Sequence, residues 1–349
     1  MAARVTTGLA AAVCAAGLLA PAAAADPPAG GSLPAATDLV GAGADTTQGF
    51  MNQTSLDYDA AVVGTTQPRL YSIDATGASP ITTKTGATPI PRPDGSLAGF
   101  NALAGTTAAT LDYARSARGP VSSLNPQPFT FVAFARDAVS WAARASGHAP
   151  ANLTTGQLRD IYQCTVTNWT QIDPTLANAT IKPVLPQAAS DSRQAFLKAL
   201  GGGTTVLTPG ACVTTGPRSD RGTDPLLNDD DVVFPYSVGL FVDQVYRGHG
   251  TAVESPGLLD LRRIDGIAPV DASNNINSSF VATAYGHQLW HAFRTADYAA
   301  ANARGVALRS VFNSSGWICT HPAATVARGF LPLPVPNCGA SVYATGLAL

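Results

Sequence analysis

Short apolar runs alternate with polar or glycine-rich turns along most of the chain, and several turns lead into segments of helical period. The largely apolar runs at residues 129–135 and 181–185 predict strands, and the first is expected to be buried. Phe196, Leu197 and Leu200 follow the second run at helical spacing. Strands that alternate with helices in this way predict an α/β fold.

The same patterns predict the remaining elements. Further strands are expected at residues 38–40, 70–74, 111–116, 232–234 and 264–270. Helices are expected from residue 50, and at residues 98–103, 154–162, 237–246 and 279–294. A turn is expected at Arg136 and Asp137, directly after the aromatic strand.

The turn at residues 186–196 carries the strongest chemical signal. It joins a predicted strand to a predicted helix, and it contains Ser190, Asp191, Ser192 and Arg193. Free N–H groups at a helix N-terminus, serine hydroxyls and a forked guanidinium together can bind an anion. The alternative is a plain helix cap, in which Ser190 or Asp191 caps and Gln194 reaches back.

A turn of the same type, the first of the three in chain order, follows the strand at residues 38–40. Its glycine-rich sequence leads to Asp45, Thr46 and Thr47 immediately before the next helix. Asp45 and Gln48 have the spacing of a capping box, and the threonines place hydroxyls near free amides. A purely structural turn is the alternative, and a dinucleotide-binding fingerprint is incomplete because its third glycine is missing.

The remaining turn, which is the second in chain order, is basic. Arg115, Ser116 and Arg118 follow the strand predicted from residue 111. They can contribute an anion contact from a second wall, or they form a solvated charged turn. In open α/β sheets ligands bind beyond the carboxyl ends of strands, where all three turns are placed.

The N-terminus has the pattern of a secretory signal. Arg4 precedes an apolar run at residues 8–20, and four alanines end at Ala25, where we expect cleavage. Cys14 lies in a poor lipobox, so we expect a secreted protein without a lipid anchor. Residues 26–37 predict a disordered lead-in, and no later stretch is apolar enough to span a bilayer.

Four cysteines remain after the signal, which favours disulfides in an exported protein. Sequence order suggests Cys164–Cys212 and Cys319–Cys338, although two other pairings remain open. A zinc site lacks suitable cysteine and histidine spacing. The formal net charge of −2 gives the protein no positive electrostatic potential that would attract nucleic acid or an anionic membrane.

Two other clusters suggest metal ligands only weakly. Three aspartates at residues 229–231 lack the glycine and glutamate of a calcium loop, so a solvated turn is the better interpretation. His287 and His291 have i, i+4 spacing on the predicted helix but no glutamate or third ligand beside them. We expect no metal and no cofactor.

The residues also carry a family resemblance. Residues 41–47, 112–116 and 186–193 resemble the three ligand loops of the phosphate-binding proteins of phosphate ABC transporters, particularly secreted actinobacterial relatives. Residues 152–158 and 168–170 extend the similarity into the second half. The resemblance implies a two-lobed type 2 periplasmic-binding-protein fold, with two hinge crossovers and an anion in the cleft.

The resemblance also implies boundaries, ligand and site. Residues 38–134 and 237–349 would form lobe 1 and residues 135–236 lobe 2, with crossovers near Phe134 and Tyr236. The ligand would be phosphate or a related tetrahedral oxyanion, the partner an ABC permease, and the protein a monomer. The implied ligand-binding residues are Asp45, Thr46, Thr47, Arg115, Ser116, Ser190, Asp191, Ser192 and Arg193.

Two departures from the family pattern affect the site. Ala189 and Asp191 replace glycines of the third loop, where Ser192 replaces a threonine. Ala117 stands where the family has an aspartate that accepts the hydrogen of phosphate. If Asp191 points inward, it can take over that acceptor role.

Two other classes of function compete. A secreted hydrolase is less favoured because Ser237 lacks the leading glycine of a nucleophile elbow and no histidine has a spacing tied to it, so we expect no enzyme. A secreted binding module of the same fold, with a sugar, peptide or protein ligand and no role in transport, is the main alternative.

Overall fold

The structure is a computed structural model that describes residues 32–122 and 128–348. The predicted signal peptide, with Cys14 and the cleavage point at Ala25, lies outside the described residues. Of the predicted lead-in, residues 32–37 form neither helix nor strand.

The strands of the described part are β1 (Leu39–Gly43), β2 (Leu70–Ser72), β3 (Tyr113–Ser116), β4 (Pro120–Ser122), β5 (Phe129–Arg144), β6 (Asn152–Leu153), β7 (Lys182–Leu185), β8 (Thr214–Thr215), β9 (Val232–Ser237), β10 (Leu259–Leu261), β11 (Arg263–Ile264), β12 (Gly286–Arg294), β13 (Leu331–Pro332) and β14 (Ser341–Leu347).

Helices lie between most of these strands. The α-helices are α1 (Gln48–Ala61), α2 (Ser96–Ala104), α3 (Thr155–Tyr162), α4 (Asp191–Leu200), α5 (Val238–Phe241), α6 (Ser278–Val281), α7 (Thr295–Ala299), α8 (Ala303–Phe312), α9 (Trp317–Thr320) and α10 (Pro322–Ala327). Two 3₁₀ turns, Trp169–Gln171 and Pro225–Leu227, and a π-helix, Val242–Tyr246, complete the set. The alternation confirms the predicted α/β class.

One long strand joins two parallel arrays of strands. The order in the sheet is β2-β1-β3-β12-β5-β9-β7-β8. On one side β1 pairs in parallel with β2 and β3, and on the other β7 pairs in parallel with β8 and β9. The central strands β12 and β5 run antiparallel to their neighbours. The turns that follow β1, β3 and β7 therefore lie at carboxyl ends of strands, where α/β proteins bind ligands.

Separate hydrophobic cores define two lobes. The core of the first lobe draws its buried residues from positions 39–135 and 289–344. The main core of the second lobe draws them from positions 138–285 and includes Trp141, Phe196 and Phe280. Strand β5 contributes residues to both cores, whereas β12 begins directly after Tyr285 of the second core and contributes residues to the first. The two strands pair from Ala138–Gly286 to Phe129–Arg294. This arrangement confirms the predicted two-lobed fold.

The packing also bears on the predicted lobe boundaries. The first crossing strand, β5, contains Phe134, close to the predicted crossover. Val238, Phe280 and Tyr285 belong to the core of the second lobe, although we had assigned residues 237–285 to the first. We therefore propose that the second crossover lies at β12 and not near Tyr236.

The turn predicted at Arg136 and Asp137 is wrong, because β5 continues without interruption to Arg144. The polar pair is tolerated inside the strand because the buried carboxylate of Asp137 has its own donors. It accepts hydrogen bonds from the hydroxyl of Ser237 at 2.6 Å and from the N–H of Gly239 at 2.8 Å. Burial raises the pKa of Asp137, and these donors oppose the rise.

The helix predicted at residues 279–294 is also wrong. Only α6 is helical there, and β12 begins at Gly286. Residues 289–293 are all buried, so the central strand shows neither the alternation of a half-buried strand nor a polar face. Of the edge strand predicted at residues 264–270, only β11 forms, paired with β6.

Both disulfides suggested by sequence order are present. Cys164–Cys212 and Cys319–Cys338 join Cα atoms 5.9 and 5.6 Å apart. Each closes a loop within one lobe, and by the loop-entropy model each constrains the unfolded chain by about 3–4 kcal/mol. Within residues 32–122 and 128–348, no helix combines the length and apolar character needed to cross a membrane.

Candidate functional site

The third predicted turn forms as expected and directs one carboxylate across the cleft between the lobes. After β7, Ser190 acts as the N-cap of α4, and its hydroxyl accepts a hydrogen bond from the N–H of Arg193 at 3.2 Å. Asp191 is the first residue of the helix and is only 2% exposed. Its side chain bonds residues of the first lobe, so this turn connects the two lobes.

The carboxylate of Asp191 lies at the N-terminus of α2. One of its oxygens, Oδ2, accepts hydrogen bonds from the N–H of Ser96 at 3.1 Å and from the hydroxyl of Ser96 at 2.5 Å. The oxygen of the same hydroxyl accepts the N–H of Ala117 at 2.8 Å. Because a helix N-terminus carries partial positive charge, this position favours an anion, and Asp191 supplies one.

A glycine allows the lobes to approach at this point. Gly95 precedes α2 with a φ of +87°, in the region that side chains rarely adopt. A Cβ atom there would lie 3.0 Å from the carbonyl oxygen of Ala189 in the other lobe. Any larger residue would therefore both strain the backbone and separate the two loops.

Arg118 completes the surroundings of the carboxylate. Its Nε donates to Oδ1 of Asp191 at 2.7 Å, with side-chain exposures of 11% and 1%. The hydroxyl of Ser116 accepts the N–H of Arg118 at 3.1 Å and donates to its carbonyl oxygen at 2.8 Å. Ser116 thus shapes the turn that presents Arg118, and in this structure its hydroxyl bonds the backbone of that turn.

The first predicted turn lies at the same cleft. Oδ1 of Asp45 accepts the N–H of Thr46 at 2.8 Å, and Oδ2 accepts the hydroxyl of Ser219 in the second lobe at 2.8 Å. The hydroxyl of Thr47 is buried and has no hydrogen-bond partner in the structure. This turn therefore contributes a carboxylate that contacts the second lobe and one buried hydroxyl whose hydrogen bonds are not formed.

The two other predicted arginines bond groups of their own lobes. Arg115 is fully buried beneath the first turn and donates to the carbonyl oxygens of Ala44 at 3.0 Å and Ile73 at 2.7 Å. Arg193 donates from Nη1 to the carbonyl oxygen of Pro186 at 2.9 Å. Arg115 therefore supports the first turn, and Arg193 closes the third turn on itself.

A second cluster of charges holds the lobes together beside the first. Arg218 of the second lobe donates to Asp94 of the first at 2.7 Å. It also lies 3.5 Å from Oδ2 of Asp45 and 3.3 Å from Oδ1 of Asp220. Burial raises the pKa of Asp220 to about 6, and the nearby charge of Asp45 adds to the rise. This cluster surrounds one cation with carboxylates.

Burial also raises the pKa of Asp191. The positive charge of Arg118 opposes the rise, and the negative charge of Asp45 adds to it. The first and third turns are therefore close enough for their carboxylates to repel each other. A cavity of about 420 Å³ opens beside Asp191, and its lining includes Ala117, Arg118 and Lys198.

The geometry of Ser237 gives it a structural role. Its hydroxyl donates to Asp137 at 2.6 Å and accepts the N–H of Leu240 at 3.0 Å, which caps α5. His287 lies 4.0 Å from the carboxylate of Asp137 and is not hydrogen-bonded to Ser237. The hydrogen bonds of this hydroxyl thus stabilise the start of a helix.

The paired histidines lie on a strand and not on a helix face. His291 is buried in the core of the first lobe, stacked on Phe134 at 4.6 Å, and burial together with the charge of Arg115 lowers its pKa to about 3. Across the described ranges, no group of three or more His, Cys, Asp or Glu residues is arranged to hold a metal ion.

The structure brings the three predicted turns to one cleft but uses their side chains unequally. Asp191 bonds the opposite lobe directly and Asp45 bonds Ser219, and the ligand roles predicted for all nine residues stay predictions. Sequence reasoning missed Ser96 and gave Arg118 no individual role. A serine after glycine at the start of a predicted helix was the signal for Ser96, because free N–H groups are expected there.

The comparisons with known proteins agree with this architecture. Residues 23–280 match the family model of the PBP superfamily domain, so the chain belongs to that family. None of the curated proteins compared with the sequence matches it.

Several solved structures share the fold. An ABC-type phosphate transport receptor from Vibrio cholerae is 15% identical with a TM-score of 0.56, covering 85% of this chain and 100% of its own. A putative phosphate ABC transporter substrate-binding protein from Clostridium perfringens, with bound phosphate, is 12% identical with a TM-score of 0.56, covering 85% and 99%. The high-affinity periplasmic phosphate-binding protein PfluDING, bound with phosphate, is 14% identical with a TM-score of 0.52, covering 86% and 91%.

Proposed function

We propose that this chain is an extracellular solute-binding protein that holds phosphate or a related tetrahedral oxyanion between its lobes. One observation carries the proposal: the cleft already surrounds an oxygen anion, the carboxylate of Asp191. That carboxylate accepts hydrogen bonds from the N–H and hydroxyl of Ser96 and from the guanidinium of Arg118. A set of donors that binds one oxyanion can bind another of similar size.

A tetrahedral oxyanion would find additional donors at this position. The N–H of Ala117 now bonds the oxygen of Ser96, and the buried hydroxyl of Thr47 has no partner. The N-termini of α1 and α2 add partial positive charge to the same cleft. Donors from two separate turns and one arginine suit an anion with several oxygens better than a neutral ligand.

The position of Asp191 sets a condition on binding. Two like charges about 4 Å apart repel by roughly 4 kcal/mol at an effective dielectric near 20. A bound oxyanion must therefore displace the carboxylate of Asp191 or share a proton with it. Sharing a proton is the acceptor role that the family assigns to an aspartate where this chain has Ala117.

The fold supports the wider role. The three structures described above share the two-lobed architecture, and the names of all three refer to phosphate. By analogy with them, we infer that this chain is exported, acts as a monomer without catalytic activity, and can deliver its ligand to an ABC permease. The family model is that of a binding domain, which agrees with this role.

Titration calorimetry tests the proposal. Phosphate, sulfate and a phosphonate are titrated separately into the purified protein, and we expect heat of binding from at least phosphate. Absence of binding to all three at millimolar concentration would contradict the proposal. Assays with ester and phosphoester substrates on the same protein check that no turnover occurs.

A secreted binding module with no role in transport is the second candidate. The observation that favours it is the set of contacts between the lobes, since Asp45, Asp94 and Asp191 take up donors at the cleft with their own carboxylates. Mass spectrometry of protein purified without refolding distinguishes the two candidates. A co-purified phosphate supports the first, and a sugar or peptide supports the second.

A further inference from the structure

The carboxylate of Asp191 takes up the donors that an external oxyanion would need. We propose that Asp191 is an internal competitor of the ligand: it closes the two lobes in the ligand-free protein and must leave the donors before an oxyanion binds. The inference rests on the proposed function for the identity of the ligand. The closure of the lobes by Asp191 can be tested without any ligand.

The hydrogen bonds place the carboxylate of Asp191 directly on the proposed oxyanion donors and not merely beside them. Both of its oxygens are used: Oδ2 accepts two hydrogen bonds from Ser96, and Oδ1 accepts one from Arg118. Asp191 is 2% exposed. An oxyanion placed at the same donors would occupy the space of this carboxylate, so the two cannot bind there together.

The other cations of the cleft are already committed. Arg218 lies among the carboxylates of Asp45, Asp94 and Asp220. Arg193 bonds the carbonyl oxygen of Pro186 within its own turn. The guanidinium of Arg118 is paired with Asp191, so a ligand that binds Arg118 must displace that carboxylate.

The contacts of Asp191 also span the hinge. Asp191 belongs to α4 of the second lobe, whereas Ser96 and Arg118 belong to the first lobe. In a two-lobed binding protein, contacts between lobes shift the equilibrium between open and closed forms. The internal carboxylate thus favours the closed form in the absence of ligand, and we expect the wild-type protein to bind phosphate more weakly than the same cleft without it.

The cavity beside Asp191 provides a place for exchange. It measures about 420 Å³, and its lining includes Arg118, Asp191 and Lys198. An oxyanion that enters this cavity reaches the guanidinium of Arg118 from the side, beside the positive charge of Lys198. The carboxylate of Asp191 has room to move into the same space when it leaves.

The binding experiment compares wild type with Asp191→Ala and Asp191→Asn by titration calorimetry with inorganic phosphate. We expect at least a tenfold lower Kd for Asp191→Ala, and an intermediate Kd for Asp191→Asn, which keeps the size but loses the charge. Asp230→Asn is the control for net charge, since Asp230 pairs with Arg144 on the surface of the second lobe. Its Kd should stay within twofold of wild type.

Equal or weaker phosphate binding by Asp191→Ala, with measurable binding by wild type, would overturn the inference and leave the proposed function intact. A gain in phosphate affinity for Asp230→Asn as large as that for Asp191→Ala would also overturn the inference, because the change in net charge would then explain both gains. If no variant binds phosphate, the proposed function fails, and the ligand-free measurement decides the remaining claim.

Small-angle X-ray scattering without ligand tests the closure of the lobes. We expect a larger radius of gyration for Asp191→Ala than for wild type, and a return toward the wild-type value when phosphate is added. Circular dichroism confirms that the variant is folded. An unchanged radius of gyration in folded Asp191→Ala and Asp191→Asn would show that Asp191 does not hold the lobes together.

Discussion

Two clusters of charge hold the lobes together, and they are built with opposite polarity. At one, donors from the first lobe surround a single carboxylate, that of Asp191. At the other, carboxylates from both lobes surround a single guanidinium, that of Arg218. An external anion can replace the centre of the first cluster but is repelled by the rim of the second. The comparison shows why ionic contacts between lobes do not by themselves define an anion site.

The largest expected effect comes from removing the cation of the first cluster. Arg118→Ala leaves the carboxylate of Asp191 buried without its charged partner, and losing one member of a buried pair costs about 3–5 kcal/mol. Urea unfolding measures the loss, and calorimetry should show phosphate affinity reduced by at least 100-fold. Arg118→Lys keeps the positive charge but not the forked guanidinium. It should recover part of the stability and part of the phosphate affinity. Wild-type stability in Arg118→Ala would contradict the account of this cluster.

The second cluster should make stability depend on pH. The pKa of Asp220 is about 6 in the folded protein, against about 3.9 for an unperturbed aspartate, so the folded state holds the proton more tightly. Its contribution to stability is therefore present below about pH 4 and is lost as the pH rises to about 6, by roughly 3 kcal/mol. Urea unfolding of wild type and Asp220→Asn between pH 4 and pH 7 isolates this contribution. Identical pH dependence in both would show that Asp220 does not titrate in this range.

A smaller effect is expected at the N-terminus of α2. Ser96→Ala removes a hydroxyl that donates to Asp191 and accepts from Ala117, and an unsatisfied buried group costs about 1–3 kcal/mol. Thermal or urea unfolding measures the change. Ser315→Ala is the matched control, since that exposed hydroxyl donates to the side-chain oxygen of Asn313 at 3.1 Å after α8. Equal effects of the two substitutions would mean that the hydroxyl of Ser96 has no special role.

The smallest effect is expected at the exposed edge of the second cluster. Asp94 is 38% exposed in its pair with Arg218, so solvent screens the interaction and Asp94→Asn should cost at most about 1 kcal/mol. At high salt the free energy of unfolding of the wild-type protein should fall by more than that of the variant, because salt screens an exposed pair that the variant lacks. A loss in Asp94→Asn as large as that in Arg118→Ala would remove the contrast between the two clusters.

Local patterns predicted much of the fold because they depend on neighbouring residues. The strand, turn and helix around Ser190 formed as expected, since its hydroxyl caps α4 through the N–H three residues later. The polar residues inside β5 were assigned to a turn because the donors that satisfy Asp137 come from about 100 positions away. Strand β12 was assigned to a helix because a central strand buried on both faces has no two-residue period.

The sequence by itself determined that this chain alternates strands and helices and that three polar turns end strands, whereas for the cysteines it favoured one pairing and left two others open. Only the tertiary structure decided which side chains occupy the cleft. Asp191 and Ser96 are 95 positions apart, and Asp191 and Arg118 are 73 apart. Hydrogen bonds and charge pairs act over a few ångströms in space, whatever the separation along the chain, so the folded arrangement had to place these groups together before their roles could be assigned.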